Sequence, residues 1–537
     1  MTSLSKTSPS GASIELLETR QEAGSTTRGR TPAAKIKSLT ELIEVVSRAK
    51  TQGKRIVQCH GVFDLIHVGH IRHLTRAHEE GDLLIVTVTS DAYVNKGPGR
   101  PVFHQQLRAE SLAALECVDY VAINEGPTAV ETIHRLRPDV YVKGREYARP
   151  EQDVTGKITE EEEAIRSVGG RVHFTDDITF SSSQLLNDYF TIFPPKTEQW
   201  LSAFRKRYTA DEILRFLGQA AKLRVLVVGE AIIDEYVFCD GLGKSTKDPV
   251  LAFRYRSTET YAGGSLAVAS HLAGFCDEVG LMTTLGEGSG SEAFVRQALR
   301  PNIQPHFVIR RDAPTIHKRR FVDTHTNARM FELYLMDDTP LPEAAEKDFL
   351  QQLERVVAGY DLVVVADYGH GMLTPPTIQQ LCRASQFLAV NTQANAGNRG
   401  FNTISKYARA DYVCLAGHEV ALEARMRHAD QRDLILEVTK RIDCPRFSVT
   451  QGKEGSLHYE LGGSFVEVPA LATRVTDRVG AGDAVLAVTS LLVAQAAPWE
   501  IVGFVGNVVG AQMVAQLGNR LAVDKISITK SIISLLK

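Results

Sequence analysis

Residues 59–70, CHGVFDLIHVGH, constrain the first half of the chain more than any other stretch. They follow RIVQ (55–58), which reads as a buried strand, and lead into IRHLTRAHEEG (71–81), which reads as a helix ending at Gly81. A strand that turns at a glycine and re-enters as a helix leaves unpaired N–H groups and the positive end of the helix dipole at one corner. Such a corner holds anions. His67 and His70 add two imidazole donors there, and Gly61 and Gly69 let the backbone come close to a ligand. Donors fixed around the α-phosphorus of a nucleoside triphosphate would stabilise the charge that attack builds on its oxygens. A bare H-x-x-H is more often an ordinary corner of a fold, and no companion cluster with zinc spacing accompanies this one.

At 537 residues the chain is too long for one core and suits two or three domains. Its 61 basic and 64 acidic residues give a net charge of −3, which offers no basis for a nucleic-acid or membrane-surface partner. Seven cysteines without a C-x-x-C fit a reducing, cytoplasmic setting. The N-terminus has no apolar run of the secretory kind. The apolar tracts 484–495 and 501–517 are separated by Pro498, Trp499 and Glu500, and neither reaches the ~20 residues of a spanning helix, so they read as buried helices.

Residues 1–35, rich in Ser, Thr, Gly and Arg, read as a disordered tail. From 36 to 192 strands alternate with helices, which predicts an α/β domain with a parallel sheet covered on both faces. Pro194 and Pro195 mark a boundary, 193–222 reads as a helical linker, and a second α/β unit fills 223–530. Neither Gly97-Pro98-Gly99 nor Gly286-Glu287-Gly288-Ser289-Gly290 is a G-x-G-x-x-G turn, so a nicotinamide enzyme is not expected.

The second unit carries Asp477-Arg478-Val479-Gly480-Ala481-Gly482-Asp483 at the start of an apolar helix. Backbone N–H groups of such a turn can hold a transferring phosphoryl group, and an aspartate set there can take the proton of an attacking hydroxyl. A structural turn whose aspartate only faces the helix dipole would have the same sequence.

GVFDLIHVGH (61–70), SDAYVNKGPGRPV (90–102), LRAESLAALECVDYV (107–121), RPDVYVKGREY (137–147) and SSSQLL (181–186) together resemble the cytidylyltransferase-like nucleotidyltransferases. The resemblance implies a Rossmann-like parallel sheet with His67 and His70 catalytic. It places Gly61, Phe63, Lys96, Arg108, Lys143, Gly144, Ser181, Ser182 and Ser183 around the nucleotide. Glu146 departs from the aspartate of that pattern.

GEAIIDEY (229–236), YAGGSLAVASHLAGF (261–275), ADYGHGML (366–373), VTQGKEGS (449–456) and TDRVGAGDAVLA (476–487) are similar, in order, to the ribokinase-like (PfkB) sugar kinases. That implies a ribokinase-like α/β sandwich with Asp483 as base. Asp234, Gly263, Gly264 and Arg329 would face the sugar, and Thr450, Gly452, Gly480, Ala481, Gly482 and Asn507 the ATP, with Glu419 serving Mg²⁺. Three positions depart from the pattern: Ala267 stands for an asparagine, Ala416 opens the usual Asn-x-x-Glu, and Asn391-Thr392-Gln393 replaces Asp-Pro-Lys.

Both halves together resemble the bifunctional heptose-phosphate kinase/nucleotidyltransferases, in reverse order. The resemblance implies a cytoplasmic, Mg²⁺-dependent homodimer that makes a nucleotide-activated sugar from a sugar phosphate and ATP or CTP. The altered kinase positions lead us to expect an acceptor other than heptose 7-phosphate. Two other readings stay open: a transferase whose kinase-like half only binds ligand or dimerises, and a CTP-dependent polyol-phosphate cytidylyltransferase.

Overall fold

The computed structural model describes residues 31–94, 96–145, 157–175, 192–288 and 290–537. The expected tail (1–30), Glu146 and the serines 181–183 lie outside the described residues.

The first unit is built on five parallel strands: β1 Ile56–Gly61, β2 Leu83–Thr89, β3 Tyr120–Asn124, β4 Val140–Gly144 and β5 Arg171–Thr175, in the order β3-β2-β1-β4-β5. The order reverses between β1 and β4, and in such sheets the crevice beyond the strand C-termini at that point receives ligands. Successive residues of β1 face opposite sides, so Val57 and Cys59 join Leu74, Ala109 and Leu112, while Ile56 joins Leu42, Val46 and Leu136. Each buried Val or Leu contributes about 1.5–3 kcal/mol. Gln58, buried between these layers, donates its Nε2 to Thr132 Oγ1 at 2.8 Å. Order begins before residue 36: Ile36 pairs with Val121 at the sheet edge, and Lys35 Nζ donates to Leu115 O at 2.9 Å.

The second unit has two sheets. Nine strands form the larger one: β6 Val225–Gly229, β9 Val279–Gly286, β10 Ile303–Arg310, β13 Leu362–Asp367, β14 Leu388–Thr392, β15 Tyr412–Ala416, β16 Arg446–Thr450, β17 Ser456–Glu460 and β18 Val466–Val468. Their order is β10-β9-β6-β13-β14-β15-β16-β17-β18, parallel from β10 to β16. Apolar clusters lie on both faces, one around Val225, Val227 and the helix Ala481–Ala494, the other around Leu226, Val228 and Phe349. The smaller sheet, β12-β11-β7-β8, consists of β7 Ala231–Lys244, β8 Leu251–Gly264, β11 Ile316–Asp323 and β12 Arg329–Leu335. Its strand β7 begins directly after β6.

Residues 193–222 are helical, as read, but they are no linker. Phe193, Leu201, Phe204, Ile213, Leu217 and Ala220 are buried in the same apolar cluster as the helix Ala481–Ala494. Every third or fourth position of these helices is apolar, which is the spacing of a core-facing stripe. Among the described residues, no helix is long and apolar enough to cross a membrane.

Gly229 closes β6 where a Cβ would lie 2.2 Å from Ala366 O, whereas a Cβ on Gly218 meets nothing within 4 Å. Gly229→Ala is expected to destabilise the second unit by about 1–3 kcal/mol through overpacking, and Gly218→Ala in its helix to stabilise it by up to about 1 kcal/mol. The two tryptophans, Trp200 and Trp499, both belong to this unit. Urea unfolding followed by tryptophan fluorescence therefore reads it selectively, and equal midpoints for the two variants would contradict the packing described.

Candidate active sites

In the first unit, His67 caps the helix Val68–Glu79: its Nδ1 accepts the N–H of Gly69 at 3.1 Å. An accepting Nδ1 leaves the proton on Nε2. The His67 and His70 rings stack with centroids 4.0 Å apart, and Phe63 meets His70 edge-on at 5.3 Å. Phe63 adopts a left-handed φ of 49°, and its ring lies 3.0 Å from where a Gly61 Cβ would be, so only glycine fits at 61 without displacing it. Burial, with His67 and Lys96 nearby, pushes His70 down to about 3. His67 is also lowered, by burial and then Lys96. Both rings are thus held toward the neutral form.

Asp64, buried, accepts the N–H groups of Val102 and Phe103 at 2.8 and 3.0 Å and faces Arg100 at 3.7 Å. This pins the loop carrying Lys96 over the histidines. Burial pushes Lys96 down to about 8.

Two residues expected at the nucleotide do other work. Arg108 is buried, and its guanidinium donates to Phe103 O at 2.9 Å, Thr89 O at 2.8 Å, Val62 O and Asp91. Its fork is spent on chain, so it organises the loop beneath the site. Lys143, at the end of β4 beside Gly144, pairs with Glu161 at 2.9 Å. Burial raises Glu161, but Lys143 and His60 outweigh it and the carboxyl is held below its usual range. Glu161 also accepts Tyr141 OH at 2.9 Å. It was missed because it sits in the run EEEE, which reads as a solvated helix face.

In the second unit, Gly480, at φ 77°, starts the helix Ala481–Ala494 with no side-chain cap, and a Cβ there would strike Asn519 Oδ1 at 1.8 Å. Gly482 has nothing within 4 Å of its Cβ position, so the turn is open to a ligand. Asp483 is buried and accepts Tyr368 OH at 2.7 Å. Burial pushes its carboxyl up to about 6; Asp234 and Glu419 add to the shift, Tyr368 and Lys318 oppose it.

Asp234 is held by Arg320 and by Asn519 Nδ2 at 3.2 Å, and Gly263 is glycine because a Cβ would come within 2.2 Å of its carboxylate. Gly264, at φ 60°, passes 2.5 Å from Glu230 O in the same sense. Lys318 stands over the rings of Tyr334 and Tyr368 at 5.2 and 5.9 Å. Neither Lys318 nor Arg320 was singled out from the sequence. The signal lay in β11, where alternation buries Ile316, Lys318, Arg320 and Val322 while His317, Arg319, Phe321 and Asp323 stay partly exposed.

Arg329 pairs with Asp477 and ties β12 to the loop before Gly480; Asp477 also accepts the N–H groups of Val479 at 3.1 Å and Gly518 at 3.0 Å. Asn507 donates to Val468 O and Pro469 O, both at 3.0 Å, and so shapes a loop instead of presenting its amide. Thr450 ends β16 opposite Ala416, and Gly452, at φ 59°, opens the next turn with free space beside it.

Glu419 accepts the N–H groups of Ala416 at 2.7 Å and Ala394 at 2.9 Å, and burial pushes it up to about 7. Ala267 is buried on the helix Ser265–Leu272. The loop after Asn391 replaces charge with amides: Asn395 and Asn398 donate to Tyr368 O at 2.8 and 2.9 Å, and Asn398 to Gln393 O at 2.7 Å.

Comparison with known proteins fits this geometry. A model described as pfkB family carbohydrate kinase matches residues 222–526, more than half of the 537. The chain belongs to the pfkB family. A second model, cytidylyltransferase-like, matches residues 59–200. The chain therefore joins a nucleotidyltransferase-type unit to a pfkB carbohydrate-kinase unit. The protein named bifunctional protein HldE of Geotalea uraniireducens (strain Rf4) is 48% identical over 141 residues, 26% of this chain and 27% of that one. Its namesake in Geobacter sulfurreducens (strain ATCC 51573 / DSM 12127 / PCA) is 43% identical over 141 residues, again 26% and 27%. The chain thus spans about a quarter of the length of the curated relatives it matches. Phosphofructokinase-2 from Escherichia coli, solved with substrates and products, is 16% identical, with 57% of this chain and 97% of that chain covered and a TM-score of 0.47.

A base must be ionised to take a proton, and Asp483 loses its charge as pH falls through about 6. Phosphoryl transfer by the pfkB unit is expected to show an acid limb in kcat/KM near pH 6, above the range of an ordinary exposed aspartate. A rate independent of pH down to 4.5 would contradict the placement of Asp483 as base.

Proposed function

We propose that the protein makes a nucleotide-activated sugar in two steps. The pfkB unit phosphorylates a sugar or sugar phosphate with ATP, and the first unit couples the resulting sugar 1-phosphate to a nucleotide with release of pyrophosphate. A separate phosphatase would act between the steps where the acceptor already carries a phosphate. The observation that carries this reading is the presence, in one chain, of a stacked histidine pair at one helix start and a buried aspartate at another.

In the kinase step, Asp483 takes the acceptor's proton as its oxygen attacks the γ-phosphorus, and Tyr368 fixes the carboxylate that does so. The amides of Ala481 and Gly482 receive the charge of the transferring group. In the transferase step, the sugar phosphate oxygen attacks the α-phosphorus, pyrophosphate leaves, and the two imidazoles donate to the charge that builds between. Among the described residues, no group of three or more His, Cys, Asp or Glu could hold a metal alone. Mg²⁺, carried mainly by the substrate phosphates, would neutralise their charge. Glu419, buried at the start of its helix, would orient the waters of that ion.

The acceptor is proposed to differ from heptose 7-phosphate, because Ala267 and the asparagine loop alter what faces it. ATP is proposed as nucleotide donor, as the resemblance to the heptose-phosphate kinase/nucleotidyltransferases implies, with CTP the second candidate. A homodimer is proposed through the smaller sheet: Phe331, Leu333 and Leu335 alternate on one exposed face of β12, and Leu251 and Tyr255 are exposed on β8.

The test is a panel of nucleoside triphosphates against sugars and sugar phosphates, read by pyrophosphate and by ADP. His67→Ala and His70→Ala should each cost about 10²–10³-fold in pyrophosphate release, the scale of one lost oxyanion donor, and leave ADP formation intact. Asp483→Asn should cost about 10²–10⁴-fold in ADP formation and leave pyrophosphate release intact. Wild-type ADP production no higher than that of Asp483→Asn across the panel would reduce the assignment to the transferase reaction alone.

A further inference from the structure

The loop that carries Lys96 over His67 and His70 does not lie against its own unit alone. Gly97, at φ 94°, runs along the helix Lys525–Leu536 of the pfkB unit: a Cβ at 97 would lie 3.4 Å from Ser531 Cα and 3.6 Å from Ser531 O. Gly99, at φ 74°, passes Thr473, whose Cγ2 would be 3.5 Å from a Cβ there. Gly97 lets the two backbones meet. Lys96 precedes Gly97 and Lys530 precedes Ser531, so the contact brings the two lysines to one place.

The helix Lys525–Leu536 buries Ile528, Ile532 and Leu535 in the pfkB core. Lys530 and Lys537 are seven residues, or about two turns, apart and share a side away from that core. The charges acting most strongly on Lys96 are Asp64, then Lys537, Arg100 and Lys530. Lys96 in turn acts on both His67 and His70. Asp64 is already committed to two backbone N–H groups and Arg100. Cations gathered from two units around one committed carboxylate, beside an α-phosphate site, match a ligand with several negative charges in a row.

We propose that Lys530 of the pfkB unit binds the β- and γ-phosphates of the nucleoside triphosphate in the transferase site, together with Lys96 and Arg100. The transferase site is then completed by the kinase's last helix, and the leaving pyrophosphate departs along it. This rests on the transferase reading of the first unit.

The test uses the full chain. Pyrophosphate release is measured against nucleoside triphosphate concentration for wild type, Lys530→Ala, Lys530→Arg and Lys525→Ala, the last on the same helix but at its other end. Loss of one charged hydrogen bond predicts a KM for the nucleotide raised about ten- to a hundredfold in Lys530→Ala. Lys530→Arg should stay within a few-fold of wild type, Lys525→Ala should be unchanged, and ADP formation should be unchanged in all. As a readout that needs no turnover, tripolyphosphate should slow hydrogen exchange of residues 96–103 in wild type and not in Lys530→Ala. A wild-type KM and wild-type protection in Lys530→Ala overturn the proposal. Protection that depends on Lys530 without any pyrophosphate release by wild type upholds the phosphate site and overturns the transferase reading instead.

Discussion

A helix entered directly from a buried strand or a glycine turn cannot pair its first N–H groups within itself, and both halves of this protein are arranged around such a helix. In the first unit the corner is kept by Gly61 and the left-handed Phe63, with His67 bonding Gly69 and His70 stacked behind it. In the second it is kept by Gly480, where no side chain could fit against Asn519, and by the open space at Gly482. The rest of each unit supplies a rigid floor that aims this corner at a ligand. The two proposed reactions share a need that this meets: negative charge developing on phosphorus oxygens, answered by fixed dipoles.

The electrostatics around the corners differ in a way that follows from burial. In the pfkB unit three buried acids, Asp483, Glu419 and Glu230, are pushed up to about 6, 7 and 7. Asp234 is instead locked by Arg320 and Asn519. In the first unit burial acts also on an imidazole and an ammonium group, with His70 pushed down to about 3 and Lys96 to about 8. One pocket disfavours its own negative charge and the other its own positive charge, and in the first unit an anionic substrate relieves the cost.

Much of this was legible in the sequence. The strand-and-helix alternation of 36–175 and the strands at 225–229, 362–367 and 412–416 follow from apolar runs of the right length between turn residues, and the histidines and Asp483 stand where the glycine turns put them. What was not legible has physical causes. The smaller sheet is half exposed, so β7, β8, β11 and β12 carry charged residues at both faces and lack a clean apolar pattern. Arg108, Lys143, Arg329 and Asn507 are the residue types that bind phosphates or bases, yet each finds a protein partner that lies far away in sequence, as with Arg329 and Asp477. The helices of 193–222 looked like a connection because their apolar stripe is short, and only the fold shows what covers it.

The two helix starts, at Val68 and Ala481, lie 413 residues apart in the chain, and both are proposed to hold nucleotide phosphates. Hydrogen exchange of the full chain with and without saturating ATP and Mg²⁺ tests it most directly, because it reads backbone N–H groups themselves. The account predicts slowed exchange in both segments, 61–71 and 478–486, with the nine-stranded sheet's own strands unchanged. Protection confined to one segment, or absent from both, would contradict it.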